Sequence, residues 1–333
     1  MLDLFTRGVF LSENRIYSPI ALQPLTIIVT RKKAKIVPNR SVTESSPMRI
    51  LIIGGSGQLG QDLLHQLVGH DIQAPDHTCL DVTDEPGLAH AISDLRPAVV
   101  INTSAFHDVP RCEAEPETAF RVNALGPLYL ARACRMAQAK LFHISTDYVF
   151  DGRKGTPYNE ADPPGPLNVY GTTKLAGEHL ARASHSGTWI IRTTGLFGKN
   201  PCRGKPGGRN FVETMLYLAA KGEPINVVAD QRCCPTFTVD LAQQIRALLE
   251  SKAPAGIYHA VNSPGCSWYE FSQIIFELAG LQVQLQPVTS DRFPGPARRP
   301  ADSRIEPLAL REAGIYQMRT PREALASFLS DNL

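Results

Sequence analysis

From Met48 onward, the sequence alternates short apolar segments with longer segments of helical periodicity. Short apolar runs rich in β-branched residues predict strands, and apolar positions three or four residues apart predict helices. The predicted strands cover residues 49–53, 72–74, 98–102, 140–145 and 188–192, and the predicted helices cover residues 58–68, 84–95, 114–136 and 171–184. Continuous apolar strands separated by helices are typical of a parallel sheet with both faces covered. The sequence therefore predicts an α/β fold with a doubly wound parallel sheet, in which ligands bind at the carboxyl ends of the strands.

The first predicted strand ends in a glycine-rich turn, Gly54-Gly55-Ser56-Gly57-Gln58-Leu59-Gly60. Leucines then recur at helical spacing as far as Gly69, so the turn joins a strand to a helix. Glycines let the backbone turn tightly and approach a pyrophosphate, which then lies over unpaired N–H groups at the start of the helix. The spacing is G-x-x-G-x-x-G, and in this context it predicts a dinucleotide site in a Rossmann-type domain.

Tyr170 and Lys174 form a Y-x-x-x-K pair, and Thr146 follows an earlier apolar strand. Residues four apart share a helix face, so both side chains are expected to point into one cleft. A carbonyl that accepts hydride develops negative charge on oxygen and needs an acid within hydrogen-bonding reach. A nearby cation favours phenolate, so Lys174 is expected to lower the pKa of Tyr170, while the Thr146 hydroxyl orients the carbonyl. The pair alone also fits a solvated helix face, but its convergence with the glycine turn favours a reductase site.

Composition sets outer limits on function. The 333 residues, 43% of them hydrophobic, can bury a core in one or two domains, and a net charge of +2 gives no reason to expect a nucleic-acid partner. The 7 cysteines include no C-x-x-C pair, which favours reduced thiols and a cytoplasmic protein, and no metal-ligand cluster is predicted. No apolar run reaches the ~20 residues that span a bilayer, so no membrane partner is expected.

Residues 1–47 differ from the rest because basic residues exceed acidic ones, and they precede a methionine, Met48, that directly starts the first predicted strand. Three interpretations are open: a start codon chosen too far upstream, an organellar presequence, or a disordered basic tail. We favour the first, because Asp3 and Glu13 are unusual in a transit peptide and Pro19 and Pro24 interrupt the apolar stretch.

Three further polar residues have structural interpretations. Asn123 is interpreted as a structural hydrogen-bonding residue, and His143 as a core or near-surface histidine within an apolar strand. Arg192 ends a strand, where it could either hold a neighbouring loop or contact a phosphate.

Several motifs together resemble the extended short-chain dehydrogenase/reductases, and more closely the dTDP-4-dehydrorhamnose reductase family. The resemblance covers nearly all of residues 48–333 and rests on GGSGQLG (54–60), LDVTD (80–84), NTSAFHDVPRCE (102–113), RVNALG (121–126), STDYVFDG (145–152), PLNVYGTTKLAGE (166–178), RTTGLFG (192–198), RNFVETM (209–215), DQRCCPT (230–236) and RPADS (299–303). It implies a Rossmann-type NAD(P)-binding domain over residues 48–194 and a smaller substrate-binding domain mainly over residues 195–333, with a helix near 238–251 returning to the Rossmann core.

The resemblance also implies roles for individual residues. Tyr170 is the implied proton donor, Lys174 its partner and a ligand of the nicotinamide ribose, and Thr146 the hydroxyl that orients the carbonyl. The other implied contacts of the cofactor, NADPH or NADH, are Gly54, Gly57, Gln58, Leu59, Gly60, Asp81, Val82, Ser104, Ala105 and Phe106. The implied substrate contacts are Thr146, Asp147, Asn210, Phe211, Asp230 and Gln231.

The implied activity is reduction of the 4-keto carbon of a deoxysugar nucleotide, most closely dTDP-4-dehydrorhamnose to dTDP-L-rhamnose, in the synthesis of cell-surface polysaccharide precursors. One departure concerns Gly195, because family members commonly carry an aromatic residue there and one wall of the sugar pocket is therefore missing or replaced. The residues after the second strand, Ala74 to His77, leave the choice between NADH and NADPH open.

Two other functions remain open on the same motifs. The regulatory β subunit of methionine adenosyltransferase resembles this family and binds a dinucleotide while acting mainly as a partner-binding module. An epimerase or a reductase of another sugar nucleotide shares the Y-x-x-x-K chemistry. Some relatives are homodimers with a divalent cation held by glutamates at the interface, although no motif in this chain identifies such ligands.

Overall fold

The computed structural model describes residues 46–330 except 203 and 205. Its strands are β1 (Arg49–Ile53), β2 (Asp71–Gln73), β3 (Val99–Asn102), β4 (Lys140–Thr146), β5 (Thr188–Thr193), β6 (Leu196–Phe197), β7 (Ile225–Val228), β8 (Arg232–Cys233), β9 (Thr236–Phe237), β10 (Ile257–His259), β11 (Cys266–Ser267) and β12 (Leu285–Val288). Its α-helices are α1 (Gln58–Gln66), α2 (Glu85–Leu95), α3 (Val109–Ala114), α4 (Pro116–Phe120), α5 (Gly126–Ala137), α6 (Val169–Ser184), α7 (Phe211–Ala219), α8 (Thr238–Glu250), α9 (Trp268–Leu278), α10 (Leu308–Glu312) and α11 (Pro321–Ser330). Short 3₁₀ turns cover Asp147–Val149, Pro206–Gly208 and Ser290–Arg292.

A parallel sheet of six strands organises the fold, in the order β10-β5-β4-β3-β1-β2. Every pairing in it is parallel, which confirms the predicted α/β class and Rossmann-type sheet. The five predicted strands are its strands β1 to β5, and no strand end differs from the prediction by more than one residue. The sixth strand, β10, comes from the second half of the chain and pairs with β5.

Helices cover both faces of this sheet because alternate strand residues are apolar on each side. On one face, Ile50 and Ile52 of β1 pack with Leu63 of α1 and with Leu241 and Ile245 of α8. The other face joins β-strand residues to α2, α5 and α6, and its buried members include Leu51, Ile53, Leu88, Val100, Leu130, Leu141 and Ala181. Full burial of each large aliphatic side chain contributes about 1.5–3 kcal/mol, so both faces fix the strand edge on which the site is built.

The helical stretch predicted over residues 114–136 is confirmed in large part, because α4, a π-helical segment over Arg121–Leu125 and α5 follow one another without a break. The prediction did not include the separate helix α3, which begins at Val109, or the break at Glu115. Pro116 has no N–H to continue the hydrogen bonds of α3, and Glu115 before it leaves the helical conformation with φ −128° and ψ +59°. The π segment carries Asn123, whose contacts are described below.

A second core lies among helices α7, α9 and α11 and three two-stranded sheets, β11-β8, β12-β7 and β6-β9. Four phenylalanines dominate it, and their ring centroids lie 5.5–6.0 Å apart in the contacts of Phe197 with Phe237, Phe271 and Phe328 and of Phe237 with Phe328. The helix predicted near 238–251 is α8, which packs on the sheet beside α1 as described above.

Several expectations concern what the chain lacks. Residues 1–45 lie outside the described part of the chain, and the interpretation of the 1–47 segment falls almost entirely there. Within residues 46–330, no helix is long and apolar enough to cross a membrane. The seven cysteines all lie within these residues and form no disulfide bonds with one another.

Candidate active site

The ends of the parallel strands bring the predicted site segments to one edge of the sheet. Strands β4 and β5 end side by side, with Thr146 opposite Thr193. The turn after β1 touches the loop after β3, since a Cβ added to Gly54 would lie 2.7 Å from Thr103 Oγ1. The predicted convergence of the glycine turn, the loop over 102–106 and Thr146 is therefore present in the fold.

The glycine turn has the form that a pyrophosphate requires. Gly54 adopts a positive φ of +82°, and Gly57 is the N-cap of α1, with no side chain capping the helix. A Cβ added to Gly60 would lie 2.4 Å from the Gly54 carbonyl oxygen, so a side chain there would push the helix away from the turn. The uncapped helix start and the side-chain-free turn fit the pyrophosphate of a nicotinamide dinucleotide. Leu59 directs its side chain into the core, where it is 5% exposed.

Gln58 links the glycine turn to the second half of the chain. Its side-chain Nε2 donates to the carbonyl oxygen of Asn200 at 2.9 Å and to that of Gly198 at 3.3 Å. Asn200 in turn approaches Asp62 of α1, with 3.4 Å between Nδ2 and Oδ1. The Gln58 side chain is thus used within the protein, and its backbone at the start of α1 is what a cofactor would meet.

Asp81 and Val82, the predicted neighbours of the adenine, have protein partners for their side chains. Asp81 is exposed, and its Oδ1 accepts hydrogen bonds from the Thr83 N–H at 2.7 Å and the Thr83 hydroxyl at 2.8 Å. Val82 is 6% exposed and packs so closely on Gly126 that a Cβ there would lie 2.8 Å from Val82 Cγ2. Any contact of Val82 with an adenine would therefore come mainly from its backbone.

Residues 104–106 form a partly buried loop between the glycine turn and α6. Asn123 holds this loop from the π-helical segment: its Oδ1 accepts from Phe106 N at 2.8 Å, and its Nδ2 donates to Phe106 O at 2.9 Å. The same Nδ2 lies 3.2 Å from Thr173 Oγ1 on α6. The interpretation of Asn123 as a structural residue is confirmed, and it fixes the loop relative to the helix that carries Tyr170 and Lys174.

The first turn of α6 positions Tyr170. Asn168 caps this helix, with its Oδ1 accepting from Gly171 N at 2.8 Å. Gly171 allows close packing, because a Cβ there would lie 2.2 Å from the Tyr148 carbonyl oxygen. The Tyr170 ring meets the Tyr148 ring edge to face, with centroids 5.7 Å apart.

Burial raises the pKa of the Tyr170 hydroxyl above its usual range, and a hydrogen bond with Thr146 lowers it only in part. Desolvation of the phenolate outweighs the effects that favour it, and the lowering of this pKa by Lys174 stays a prediction. A hydroxyl with a raised pKa stays protonated at neutral pH. Tyr170 is accordingly prepared to give a proton rather than to accept one.

Lys174 lies one helical turn further on and is 1% exposed. Its amine donates to the Ile144 carbonyl oxygen at 2.6 Å and lies 3.4 Å from Nε2 of His143. Burial lowers the pKa of Lys174 to about 8, against the opposing charge of Glu178. His143 is fully buried, as interpreted from the sequence, but nothing in its strand pattern predicted a contact with Lys174.

Thr146 and Asp147 form a buried polar pair beside Tyr170. The Thr146 hydroxyl donates to Asp147 Oδ1 at 3.1 Å and accepts from the Tyr148 N–H at 3.2 Å. Asp147 Oδ2 accepts from the Ser303 hydroxyl, a residue of the RPADS segment with no predicted role of its own. Burial raises the pKa of Asp147 to about 6, although hydrogen bonds from Ser303, Thr194 and Thr146 favour its ionised form.

Two of the predicted substrate contacts have structural partners. Asn210 is 1% exposed and caps α7, accepting from Glu213 N at 3.1 Å and donating to Gly198 O at 2.9 Å. Asp230 is exposed and accepts from Ser290 N at 2.9 Å, so it holds the loop that follows β12. The sequence could not reveal these partners. Gly198 and Ser290 are distant in the sequence from the residues that they contact, and the Glu213 contact depends on the geometry of the helix cap.

Phe211, Gln231 and Gly195 surround an aromatic side chain that the sequence did not single out. Trp268 packs on Phe211 with ring centroids 4.5 Å apart, and its backbone N–H donates to the Gln231 carbonyl oxygen at 3.3 Å. Gly195 has φ +56°, and a Cβ there would lie 3.3 Å from Trp268 Cη2 and 3.5 Å from Cys233 Sγ. Trp268 and Cys233 therefore border the space that a side chain at position 195 would enter.

Arg192 has neither of its two interpreted roles. It is 2% exposed and pairs inside the protein with Glu178, with 2.7 Å between Nη2 and Oε2. The Ser145 hydroxyl donates to the same carboxylate. The ion pair joins α6 to β5, and the Ser145 hydroxyl links it to β4.

The chain is similar to known proteins over most of its length. A family model described as the RmlD substrate binding domain matches residues 48–333. The chain is 41% identical over 285 residues to a dTDP-4-dehydrorhamnose reductase of Streptomyces griseus, which covers 83% of this chain and 91% of that protein. It is 39% identical over 285 residues to the spore coat polysaccharide biosynthesis protein SpsK of Bacillus subtilis (strain 168), covering 85% of this chain and 97% of that protein. The solved structure of dTDP-4-dehydrorhamnose reductase from Bacillus anthracis str. Ames in complex with NADP superposes with a TM-score of 0.81 at 36% identity, covering 86% of this chain and 99% of that chain.

Proposed function

The chain belongs to the RmlD family of dTDP-4-dehydrorhamnose reductases, and from that premise we propose that it reduces dTDP-4-dehydrorhamnose to dTDP-L-rhamnose for cell-surface polysaccharide precursors. The coarser activity follows from the family: the protein is an NAD(P)H-dependent oxidoreductase that reduces a keto group of a sugar nucleotide. The relative SpsK is named for spore coat polysaccharide, so the sugar that this chain reduces is the part that needs a test.

One observation supports the proposal most strongly. The glycine turn that fits a dinucleotide and the Tyr170, Lys174 and Thr146 side chains lie at the same carboxyl edge of the sheet. Nicotinamide supplies the hydride when bound. Tyr170 then donates its proton to the carbonyl oxygen, which its raised pKa permits at neutral pH.

Thr146 and Lys174 complete the donor set. A hydroxyl has one proton, so Thr146 must turn its O–H away from Asp147 Oδ1 to reach a carbonyl oxygen. Lys174 has two amine protons beyond the one donated to Ile144 O, and these can bind a ribose hydroxyl. We assign the remaining cofactor contacts to Gly54, Gly57, Gln58, Leu59, Gly60, Asp81, Val82, Ser104, Ala105 and Phe106, with Gln58 and Val82 acting through their backbones.

We assign the substrate to the side of the crevice that Asp147, Phe211 and Gln231 border, with Trp268 as an added wall. Asn210 and Asp230 shape this side indirectly, because their side chains hold α7 and the loop after β12. The boundary between a cofactor domain at 48–194 and a substrate domain at 195–333 is part of the same proposal. Among the described residues, no cluster of His, Cys, Asp and Glu could hold a metal ion, so the divalent cation is not included, and the homodimer stays a prediction.

The test is oxidation of NADPH and NADH in the presence of a panel of 4-keto sugar nucleotides. We expect the highest kcat/KM with dTDP-4-dehydrorhamnose. Tyr170→Phe removes the proton donor and is expected to lower kcat by at least ~10²-fold, while the dissociation constant of NADPH changes little. The control is Tyr217→Phe, which changes an exposed tyrosine on α7 that lies outside the proposed site.

The outcomes separate the competing functions. Near-normal turnover by Tyr170→Phe would contradict the proposed mechanism, and higher kcat/KM with another sugar nucleotide would correct the substrate. NADPH binding without turnover of any compound in the panel would favour a dinucleotide-binding regulatory subunit.

A further inference from the structure

An exposed arginine, Arg299, lies on a backbone that is fixed on both sides. Before it, the carbonyl oxygen of Arg298 accepts from Asn168 Nδ2 at 2.7 Å, and Asn168 is the cap of α6. After it, Pro300 packs so closely on Gly152 that a Cβ added to this glycine would lie 2.9 Å from Pro300 Cα. The backbone of Arg299 is therefore held beside the start of the helix that carries the proposed proton donor.

The residues that follow Arg299 are anchored to the substrate side of the crevice. Arg232 N, on β8, donates to the Ala301 carbonyl oxygen at 2.8 Å, and Ser303 N donates to that of Arg232 at 3.0 Å. The Ser303 hydroxyl donates to the buried carboxylate of Asp147. These contacts join the segment to β8 and to Asp147, on the side of the crevice that we assign to the substrate.

The charge of Arg299 reaches the site through Tyr148. Burial raises the pKa of Tyr148 above its usual range, and the positive charge of Arg299 opposes that rise. The Tyr148 ring in turn lies against the Tyr170 ring, with centroids 5.7 Å apart. Among the described residues, no carboxylate pairs with the Arg299 guanidinium, whereas Arg304 pairs with Asp302 at 2.6 Å. Arg299 therefore presents an unpaired cation to the crevice.

A sugar nucleotide carries its negative charge at the end away from the reacting carbonyl. In a 4-keto hexose, the keto carbon and the carbon that bears the diphosphate lie on opposite sides of the sugar ring. When the carbonyl meets Tyr170, the diphosphate therefore lies further out in the crevice. Arg299 also lies further out, because its charge acts on Tyr148 and is not among the groups that chiefly shift the pKa of Tyr170. A guanidinium matches phosphate oxygens with paired, charge-assisted hydrogen bonds.

We propose that Arg299 binds the diphosphate of the sugar nucleotide at the outer end of the crevice. This inference rests on the proposed function, because it takes the substrate to be a nucleoside diphosphate sugar. The fixed backbone reduces the conformational freedom that is lost when the substrate binds. Arg298 provides a matched control, since it is an exposed arginine in the next position and its structural contact is made by its backbone carbonyl.

The first test measures nucleotide binding and needs no turnover. Titration calorimetry follows the binding of dTDP to the NADPH-loaded full chain and to its Arg299→Gln and Arg298→Gln variants. We expect Arg299→Gln to raise the dissociation constant of dTDP by about 10- to 100-fold, because a charge-assisted hydrogen bond to phosphate is lost. Arg298→Gln, which removes a solvated charge, is expected to raise it by less than ~3-fold. Tm measured for both variants establishes that they fold.

The second test measures turnover of the most active compound in the substrate panel. Arg299→Gln is expected to raise KM by about 10- to 100-fold and to change kcat by less than ~3-fold, because the diphosphate contact is the same in the ground state and the transition state. The dissociation constant of NADPH should change little. Arg299→Lys keeps the charge but not the paired hydrogen bonds, so its KM should lie between those of the unchanged protein and Arg299→Gln.

The outcomes separate this inference from the proposed function. An unchanged affinity of Arg299→Gln for dTDP, or an equal loss in Arg298→Gln, would overturn the diphosphate contact, as would an unchanged protein that does not bind dTDP. Loss of NADPH affinity in place of dTDP affinity would also overturn it. If no sugar nucleotide is reduced but Arg299→Gln still weakens dTDP binding, the proposed function fails and the contact of Arg299 with the diphosphate is supported.

Discussion

Asp147 shows how a single enclosed carboxylate makes stability depend on pH. It is 2% exposed, and burial raises its pKa to about 6 from the usual 3.8. Between these values the folded protein holds a proton that the unfolded chain has lost, so this contribution to stability is complete below pH ~4 and is lost as pH rises through ~6. The loss corresponds to about 3 kcal/mol above pH 6, at ~1.4 kcal/mol for each pKa unit.

Asp147→Asn is therefore expected to raise the free energy of unfolding by about 1–3 kcal/mol at pH 8 and to change it little near pH 4. Asn can still accept from Thr146 and exchange donor and acceptor roles with Ser303. Urea unfolding of both proteins at the two pH values measures the difference. Asp151→Asn is the matched control with the opposite sign, because a hydrogen bond from Tyr158 lowers the pKa of Asp151. A stability loss at pH 8 for Asp147→Asn would contradict this account.

The sequence could select Tyr170, Lys174 and Thr146 as candidates because reduction requires an acid, its neighbour and a second donor at a strand end. It could not identify the partners of Asn210 or His143. Those contacts arise where distant segments meet, as when Asn102 of β3 faces β4. The approach of Trp268 to Gly195 could not be predicted either, because the two lie 73 positions apart (268 − 195) and no local pattern connects them.

At the scale of elements, α6 depends on glycines that let it approach its neighbours. Gly177 lies in the interior of this helix, and a Cβ there would lie 2.1 Å from the Asn123 carbonyl oxygen. Alanine is normally better than glycine in a helix by about 1 kcal/mol, so propensity and packing predict opposite signs. The clashing atom belongs to the backbone, which cannot shift as easily as a flexible side chain. We therefore expect the steric clash to outweigh the gain in helix propensity.

Gly177→Ala is expected to lower the free energy of unfolding by about 1–3 kcal/mol and to lower kcat, because α6 shifts away from the segment that holds the 104–106 loop. His179→Ala on the exposed face of the same helix is the control, with an expected change within ~0.5 kcal/mol. Chemical unfolding and steady-state kinetics measure both variants. A stabilised Gly177→Ala would show that propensity governs this position.

The start of α6 and the subdivision of residues 114–136 could not be predicted from the sequence. Its periodicity predicted a helix from residue 171, whereas the Asn168 cap begins it at Val169. The segment over 114–136 has nearly continuous helical character in the sequence. Its division at Pro116 and its π turn depend on local stereochemistry and on the contact of Asn123 with Phe106, which periodicity does not encode.

At the scale of the whole molecule, alternating strands and helices were sufficient to predict the parallel sheet but not its sixth strand. β10 is three residues long and lies 64 residues beyond the end of β5 (257 − 193), so its pairing could not be read locally. The chain therefore crosses between the two predicted domains more than once. Both α8 and β10 return to the sheet from the second half.

This topology predicts that the chain unfolds in one cooperative transition. Removing α8 would expose the apolar side chains of α1 and β1, so the sheet cannot keep its core without the second half. Leu241→Ala, at this shared contact, is expected to destabilise by about 2–5 kcal/mol and to move the whole transition to lower temperature. NADPH at ~100 times its dissociation constant should stabilise by ~2.7 kcal/mol and raise the same transition by several degrees. Calorimetry with and without NADPH tests this, and a second transition that NADPH leaves in place would show instead that residues 195–333 unfold as an independent domain.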